Sequence, residues 1–417
     1  MTDLMTDDFA SVTGLLCGGF GGTVHLPGDE QYDVQRRPLD PNLDPKPAVV
    51  VEAHRREDVQ SAVRVARQAG LPFAVQATGH GTRLPSDGGV LLKTGGMASV
   101  LVDPQRRVAK VGPGARWGEV IDAAKPFGLA PLAGSSRDVG VTGYTLGGGI
   151  GWLARKYGFA ADSVIRAEVV TATGAVVVCS AKVRPDLFWA IRGGSGNFGV
   201  VTSLEFQLYP VASVYAGIAY FGIDRAKETL ELYRTWSRQI PDELSTAITL
   251  TNRPDGTRAM AIKVMYAGEA SAAEEILKPL LEVAGPVREG GYRQMAFGDA
   301  QMGGTASRHL DLLNELPDEK GFDVLLELDA TVEIRHWGGA MNQGETPVGH
   351  RQAQYSLIID KVVPGLPSTG RTFLNFLSDP ARTASSFTEE NYKRLREVKR
   401  AYDPDNFFRL NHNIPPA

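Results

Sequence analysis

A histidine set among small residues, Gln76-Ala77-Thr78-Gly79-His80-Gly81, is the first place in this chain where chemistry can be read. Imidazole has an ordinary pKa of about 6.5, so near neutral pH its uncharged form can serve as a nucleophile. Small flanking residues let main chain approach a bulky anionic ligand. A second stretch, Gly143-Tyr144-Thr145-Leu146-Gly147-Gly148-Gly149-Ile150-Gly151-Trp152, is glycine at five of the nine positions 143–151. At that density backbone N–H groups meet a ligand unobstructed, and positive φ is supplied wherever a turn needs it. The segment 188–202 continues the theme with Gly193, Gly194, Gly196 and Gly199 ahead of Val200 and Val201. Glycine loops framing one histidine predict a site for a large phosphate-bearing cofactor.

Competing motifs fail. The stretch 147–152 ends in Trp152 and so lacks the G-x-G-x-x-G spacing of a nicotinamide site, and no G-x-x-x-x-G-K-[ST] occurs. The seven histidines, at 25, 54, 80, 309, 336, 350 and 412, show no metal-ligand spacing. A net charge of -4 leaves no electrostatic footprint for nucleic acid or an anionic membrane. Charged or glycine residues interrupt every apolar run before it reaches membrane-spanning length. The acidic stretch 1–9 lacks the basic start of a secretory signal, and two cysteines, Cys17 and Cys179, read as reduced thiols. Together these predict a cytoplasmic protein.

The elements that must hold the loops follow from periodicity. The run 48–51 reads as a buried strand, 57–69 as a helix with Val59, Ala62, Val63 and Ala66 on one face, and 72–75 as a strand feeding the His80 loop. A ligand loop at the carboxyl end of a strand is what an α/β cofactor site requires. Further strands are expected at 90–92, 99–102, 107–111, 167–173 and 175–179, the last two joined at Thr173-Gly174, with a helix at 117–124. Beyond Pro210 the pattern changes to strands at 215–223, 246–251, 258–266, 332–337 and 354–361 with helices at 225–239 and 271–283. That pattern predicts a second domain of antiparallel sheet covered by helices on one face. A helix at 388–402 and a tail through Asn411 should return to the first domain. The expected fold class is therefore α+β with two domains: residues 1–211 (core 45–211), 212–384, and a returning segment 385–417.

These segments, with Gly112-Pro113-Gly114-Ala115-Arg116-Trp117-Gly118 and Tyr402-Asp403-Pro404-Asp405-Asn406-Phe407-Phe408-Arg409-Leu410-Asn411-His412-Asn413, resemble the berberine-bridge-enzyme-like branch of the FAD-linked oxidases, which share the vanillyl-alcohol-oxidase fold. The resemblance covers nearly the whole chain. It implies FAD, attached covalently through His80. It also implies contacts from Gln76, Ala77, Thr78, Gly79, Gly81, Gly134, Ser135, Ser136, Val139, Gly140, Gly143, Tyr144, Thr145, Gly148, Gly196, Val200, Val201, Asn411 and Asn413. Relatives carry arginine where this chain has Gln76, so the pyrophosphate would rely more on backbone N–H groups. Many relatives attach the flavin a second time through a cysteine, but Ser136 stands in that register. A hydroxyl would not form the thioether, so a single attachment is expected. Val139 occupies a position resembling the family's oxygen gate; a core valine beside a glycine turn is the plainer alternative.

The general base is the open point. Relatives that oxidise alcohols or phenols use a Tyr-x-Asn-Tyr pattern, which here reads Phe373-Leu374-Asn375-Phe376, without either hydroxyl. Tyr144 and Tyr355 are the leading substitutes, with Asn411 expected at the flavin's polar edge; Glu345, His350 and His309 stand behind them, and ordinary packing is an alternative for each. The resemblance implies an oxidase that passes hydride from a small organic substrate of specialised metabolism to flavin N5 and returns the electrons to dioxygen as hydrogen peroxide. A flavin-dependent monooxygenase or dehydrogenase on the same fold is the alternative, and a binding protein without turnover is a third reading. Substrate identity and oligomeric state are not encoded in any motif here.

Overall fold

The computed structural model describes residues 20–253 and 255–417. Cys17 and the acidic stretch 1–9 lie outside the described residues. Three sheets organise the rest.

The first holds four strands in the order β1 (Thr23–His25), β2 (Val49–Glu52), β4 (Val90–Lys93) and β3 (Phe73–Gln76). β2, β4 and β3 run parallel and β1 adds an antiparallel edge. Parallel strands are buried on both faces and so read as continuous apolar runs, as Val49-Val50-Val51 does. The crossover helix Arg56–Gln68 buries Val59, Ala62, Val63 and Ala66 completely. Its first turn is tied by Asp58, whose carboxylate accepts from the N–H groups of Gly21, His54 and Arg55. β3 then delivers the chain to the His80 loop.

The second sheet is antiparallel, in the order β5 (Val100–Asp103), β6 (Val108–Val111), β9 (Val200–Gln207), β7 (Val164–Val170) and β8 (Val176–Ser180). Gly174, at φ 75°, makes the left-handed step that closes the β7–β8 turn. The helix Trp117–Ala124 and the helix Pro185–Ile191 pack on this sheet through Trp117, Val120, Leu187 and Phe188.

The third sheet has seven antiparallel strands in the order β13 (Glu289–Ala296), β10 (Ser213–Gly222), β12 (Arg258–Tyr266), β11 (Leu244–Asn252), β15 (Val332–His336), β16 (Tyr355–Ile359) and β14 (His309–Leu313). Side chains alternate between faces along each strand. Ile248, Ile262, Val264, Ile334, Leu357 and Ile359 meet the helices Ala226–Trp236, Ala270–Ala284 and Glu319–Glu327. The other face presents Ala216, Ala247 and Met265 to Leu132, Trp152, Leu153 and Ala160 of the glycine-rich region. The expected antiparallel sheet covered by helices is present, with β13, β14 and the helix Glu319–Glu327 added to the strands and helices read from periodicity. β13 escaped that reading because Gly290 and Gly291 weaken its pattern and it lies at an exposed edge.

The chain ends in the helix Glu389–Tyr402, capped by Thr388, whose hydroxyl accepts from Asn391 N–H. The tail beyond it runs back across the 193–199 loop.

Candidate functional site

Two loops meet at the end of β3. Gly79 takes φ 78°, and a methyl group there would come within 2.9 Å of the buried Gln76 amide. Across from it, a methyl group on Gly140 would press the Thr78 side chain at 3.2 Å. The 137–141 segment is held by backbone bonds to the start of the helix Trp117–Ala124, from Gly118 N–H to Arg137 O (2.8 Å) and from Trp117 N–H to Val139 O (3.1 Å). His80 and its loop therefore lie beside the Ser135–Gly140 loop, as a single ligand surface requires. His80 is exposed. Partial loss of solvent, with Arg83 nearby, draws its imidazole below the ordinary value, so it is neutral at pH 7. Ala77 and Thr78 are half-buried and Gly81 is exposed. Ser136 is exposed and its hydroxyl accepts from Asp138 N–H at 3.3 Å. Val139 is half-buried against the core of the second sheet.

Gly140 opens the short helix Val141–Leu146, where Gly143 is exposed and a methyl group on it would meet nothing. Tyr144 points the other way. Its ring fills a slot between Gly134 and Gly149 (a methyl group on either would reach it at 2.9 or 2.5 Å) and packs edge-on to Trp117 at 5.4 Å. Its hydroxyl is sealed from solvent with no partner among the described residues. Burial pushes the phenol's pKa well above its ordinary value, against an opposing pull from Arg335. Such a group keeps its proton and can donate a hydrogen bond; it is poorly suited to be the base.

Asn375, singled out only as part of the altered tyrosine pattern, fastens this region. Its amide nitrogen donates to Tyr144 O (2.9 Å) and its oxygen accepts from Gly149 N–H (3.0 Å). Phe373 lies buried beside Phe159 and Trp337, with rings 5.5 Å from each, and Phe376 packs against Phe373. Gly148, at φ 116°, abuts Phe373 and Val348.

The tail joins through Asn197, which is fully buried. Its amide donates to Gly194 O (2.8 Å) and His412 O (2.9 Å), and its oxygen accepts from Ile414 N–H (2.9 Å). Asn411 approaches Gly196, and its amide donates to Phe408 O at 3.3 Å. Val200 and Val201 are buried at the start of β9. Arg83 acts on both His80 and His412, which puts the tail near the His80 loop; burial, with Arg83, lowers His412 to about 4.

A test of whether these residues suit FAD is where buried polar atoms lack partners. Thr142 Oγ1, Tyr144 Oη, Thr145 Oγ1, Asn411 Oδ1, His412 Nδ1 and Asn413 Oδ1 are all orphaned. Buried polar groups are normally paired, and each orphan calls for an explanation. Their concentration on the helix Val141–Leu146 and on the tail suits a polar ligand lying between glycine loops and tail. Those residues fit a flavin nucleotide.

Other expected positions do not converge. Tyr355 is fully buried on the helix-covered face of the third sheet, where its hydroxyl bonds Ser237 Oγ at 2.8 Å and its ring lies near Tyr233 and His336. It points away from the face that meets the glycine loops, because alternation puts Ser356 and Ile358 there instead. This removes Tyr355 as a base by geometry. Glu345 is exposed; His350 bonds Ser385 O at 2.9 Å; His309 sits on the edge strand β14.

Three residues missed by sequence reading stand on the face that does meet the loops. Lys263 Nζ donates to Glu333 at 2.7 Å, and the Arg335 guanidinium lies over the Trp152 ring at 4.1 Å. The signal was available: Ile262-Lys263-Val264 and Glu333-Ile334-Arg335 alternate charge with aliphatic residues inside strands, and a charge there needs a reason.

Comparison with known proteins points to the same cofactor. Residues 47–180 match a family model described as FAD binding domain, and residues 372–415 match one described as berberine and berberine like. The (R)-6-hydroxynicotine oxidase of Paenarthrobacter nicotinovorans is 28% identical across 95% of this chain and 97% of its own length. The crystal structure of 6-hydroxy-D-nicotine oxidase from Arthrobacter nicotinovorans superposes with a TM-score of 0.85 at 27% identity, covering 95% of this chain and 98% of that one. An FAD-dependent monooxygenase of Fusarium proliferatum, named FUP4, is 37% identical over 42% of this chain and 34% of its own length.

Proposed function

We propose that the chain is an FAD-linked oxidoreductase of the berberine-bridge-enzyme-like branch and an oxidase of a small organic substrate, with FAD held covalently through His80 alone; the two family matches and the likeness to (R)-6-hydroxynicotine oxidase support the reading. FAD supplies the redox chemistry when bound: hydride acceptance at N5 and reoxidation by dioxygen to hydrogen peroxide. The observation that carries the reading is the set of orphaned polar atoms on the helix Val141–Leu146 and the 411–413 tail, with a neutral His80 on the loop that meets Gly140 through Thr78.

The protein's own groups divide the work. His80, kept unprotonated, has its nitrogen lone pair free for the attachment. Gln76, Ala77, Thr78, Gly79, Gly81, Gly140, Gly143 and Gly148 supply main chain and small side chains to the nucleotide, with Gly134, Ser135, Ser136, Gly196, Val200 and Val201 around it. Asn411 and Asn413 offer amides, and Tyr144, holding its proton, offers a donor. Val139 governs the approach of dioxygen. The single described cysteine, Cys179, is a buried free thiol, which supports a reducing compartment such as the cytoplasm. Among the described residues no helix is long and apolar enough to cross a membrane.

Purified protein should be yellow and should bleach anaerobically with its substrate. Peroxide formed in a one-to-one ratio with substrate consumed supports oxidase chemistry. Oxygen incorporated into product would favour the monooxygenase reading, which draws on the partial likeness to the Fusarium enzyme.

A further inference from the structure

The inner face of the seven-stranded sheet buries more positive charge than it neutralises. In the sheet register Lys263 stands opposite Ala247, and Ala247 stands opposite Arg335. The two cations therefore flank one small residue, on strands about 10 Å apart. Glu333, two residues before Arg335, shares that face. Its carboxylate accepts from Lys263 Nζ at 2.7 Å and from Thr305 Oγ1 at 3.0 Å, and lies 3.7 Å from Arg335 Nε. Burial pushes Glu333 toward its neutral form, but Arg335 and Lys263 outweigh it and hold the carboxylate ionised. One carboxylate thus faces two cations, and all three side chains are at least nine-tenths buried.

Arg335 is the more loosely paired cation, within 3.7 Å of the shared carboxylate but not hydrogen-bonded to it. Its Nε has no hydrogen-bond partner, and among the described residues its two Nη nitrogens donate to no protein atom. The Trp152 ring covers one face of the guanidinium but offers no acceptor in its plane. A guanidinium presents its donors as a planar fork that matches a carboxylate in two-point contact. Trp152, whose indole N–H is spent on Ser135 Oγ at 3.0 Å, also lines a cavity with Gly134, Ser135, Met265 and Met302. Met265 lies two residues along β12 from Lys263 and so shares its face. Lys263, Glu333 and Arg335 do not line that cavity, but Trp152 and Met265 place it on the same side of the sheet as the charged row.

We propose that this face is an anion subsite and that the substrate carries a carboxylate, received by the Arg335 guanidinium with Lys263 and Glu333 setting the local charge. Two buried cations that share one carboxylate leave a net positive charge out of water, which is costly, and a substrate carboxylate supplies the missing charge in the geometry that arginine favours. The inference rests on the oxidoreductase reading and narrows its substrate class.

The test is a binding comparison on holoprotein at pH 8, using acid and amide pairs of the same shape: benzoate and benzamide, phenylacetate and phenylacetamide, hexanoate and hexanamide. Perturbation of the flavin absorption band and the shift in Tm are both followed. At least one acid should bind tenfold or more tighter than its amide. Arg335→Met should abolish that preference, Arg335→Lys should retain part of it, and Glu333→Gln should strengthen it by removing the competing carboxylate. A purely structural role would weaken acid and amide binding alike in these variants and leave the preference unchanged. Acids that bind no better than their amides, or an undiminished preference in Arg335→Met, would overturn the proposal. A colourless preparation would instead defeat the oxidoreductase reading, and the Tm shifts would still decide the anion subsite on the flavin-free protein.

Discussion

Lys399 and Asp403 form an ion pair at 2.6 Å with no solvent exposure on either side chain, four residues apart at the end of the last helix. The pair is a hub for the tail. Lys399 also donates to Asn197 O (2.8 Å) and Phe408 O (3.1 Å), while Asp403 accepts from the N–H groups of Phe407 and Phe408. The tail that carries Asn411 and Asn413 is thus anchored to the 193–199 loop by charge sealed from water. Breaking a buried pair from one side leaves the other charge uncompensated, at a cost of about 3–5 kcal/mol. Asp403→Asn should lower stability by that order in urea unfolding and weaken flavin retention under non-denaturing conditions. An unchanged midpoint would show that the tail does not depend on this pair.

His412 makes stability sensitive to acid. Burial, with Arg83, lowers its folded pKa to about 4, against about 6.5 unfolded. The unfolded chain therefore binds the proton more readily, so this contribution is intact above pH 6.5 and is lost as pH falls toward 4. Between pH 8 and pH 5 the loss is about 2 kcal/mol. Burial lowers His336, His309 and His350 as well, so they add in the same direction. His412→Gln should show a shallower loss of stability over that range than the parent, measured by urea unfolding at each pH. Parallel curves would remove His412 from the account.

Much of this site was legible along the chain because local signals carried it. The strand 48–51 and the helix Trp117–Ala124 follow from apolar runs and turn residues, and the glycine loops declare themselves by composition. What stayed hidden depends on pairings far apart in sequence. Asn197 meets the tail across more than two hundred residues, and Asn375 reaches Tyr144 and Gly149 across a similar span. Lys263 and Arg335 become neighbours only through the register of β12, β11 and β15. Tyr355 misled for the same reason: on a strand, one position decides between the loop-facing side and the helix-covered side, and both sides of β16 are buried.

His80 should be the sole covalent link to the flavin. Acid-precipitated protein should stay yellow, and His80→Ala should release its flavin to the supernatant. Ser136 is exposed with a hydroxyl engaged only by the next turn, so Ser136→Ala should leave the attached fraction unchanged. Complete loss of flavin from denatured parent protein would sink the attachment.

Val139 lies half-buried where the 137–141 segment joins the Trp117–Ala124 helix, next to the Thr78–Gly140 contact. Val139→Leu adds one methylene group there and should slow reoxidation of the reduced flavin by dioxygen while substrate reduction proceeds unchanged. Stopped-flow reoxidation at equal rates in both proteins would assign the residue to packing alone.

The two tyrosines should now separate by role. Tyr355→Phe removes one buried hydrogen bond to Ser237 and should cost about 1 kcal/mol of stability without slowing anaerobic flavin reduction. Tyr144→Phe removes a hydroxyl that makes no bond to the described protein, so its stability should hold or rise slightly. If the phenol donates to the bound cofactor or substrate, the loss should appear in flavin reduction or in the flavin's reduction potential. Because burial raises the phenol's pKa, a Tyr144 acting as donor predicts no descending limb near pH 7 to 9 that the Phe variant removes. A base would show the reverse: rate rising with pH through its pKa, and a pH-independent residual in the variant. Loss of such a limb in Tyr144→Phe would restore it as the proton acceptor and overturn the assignment as donor.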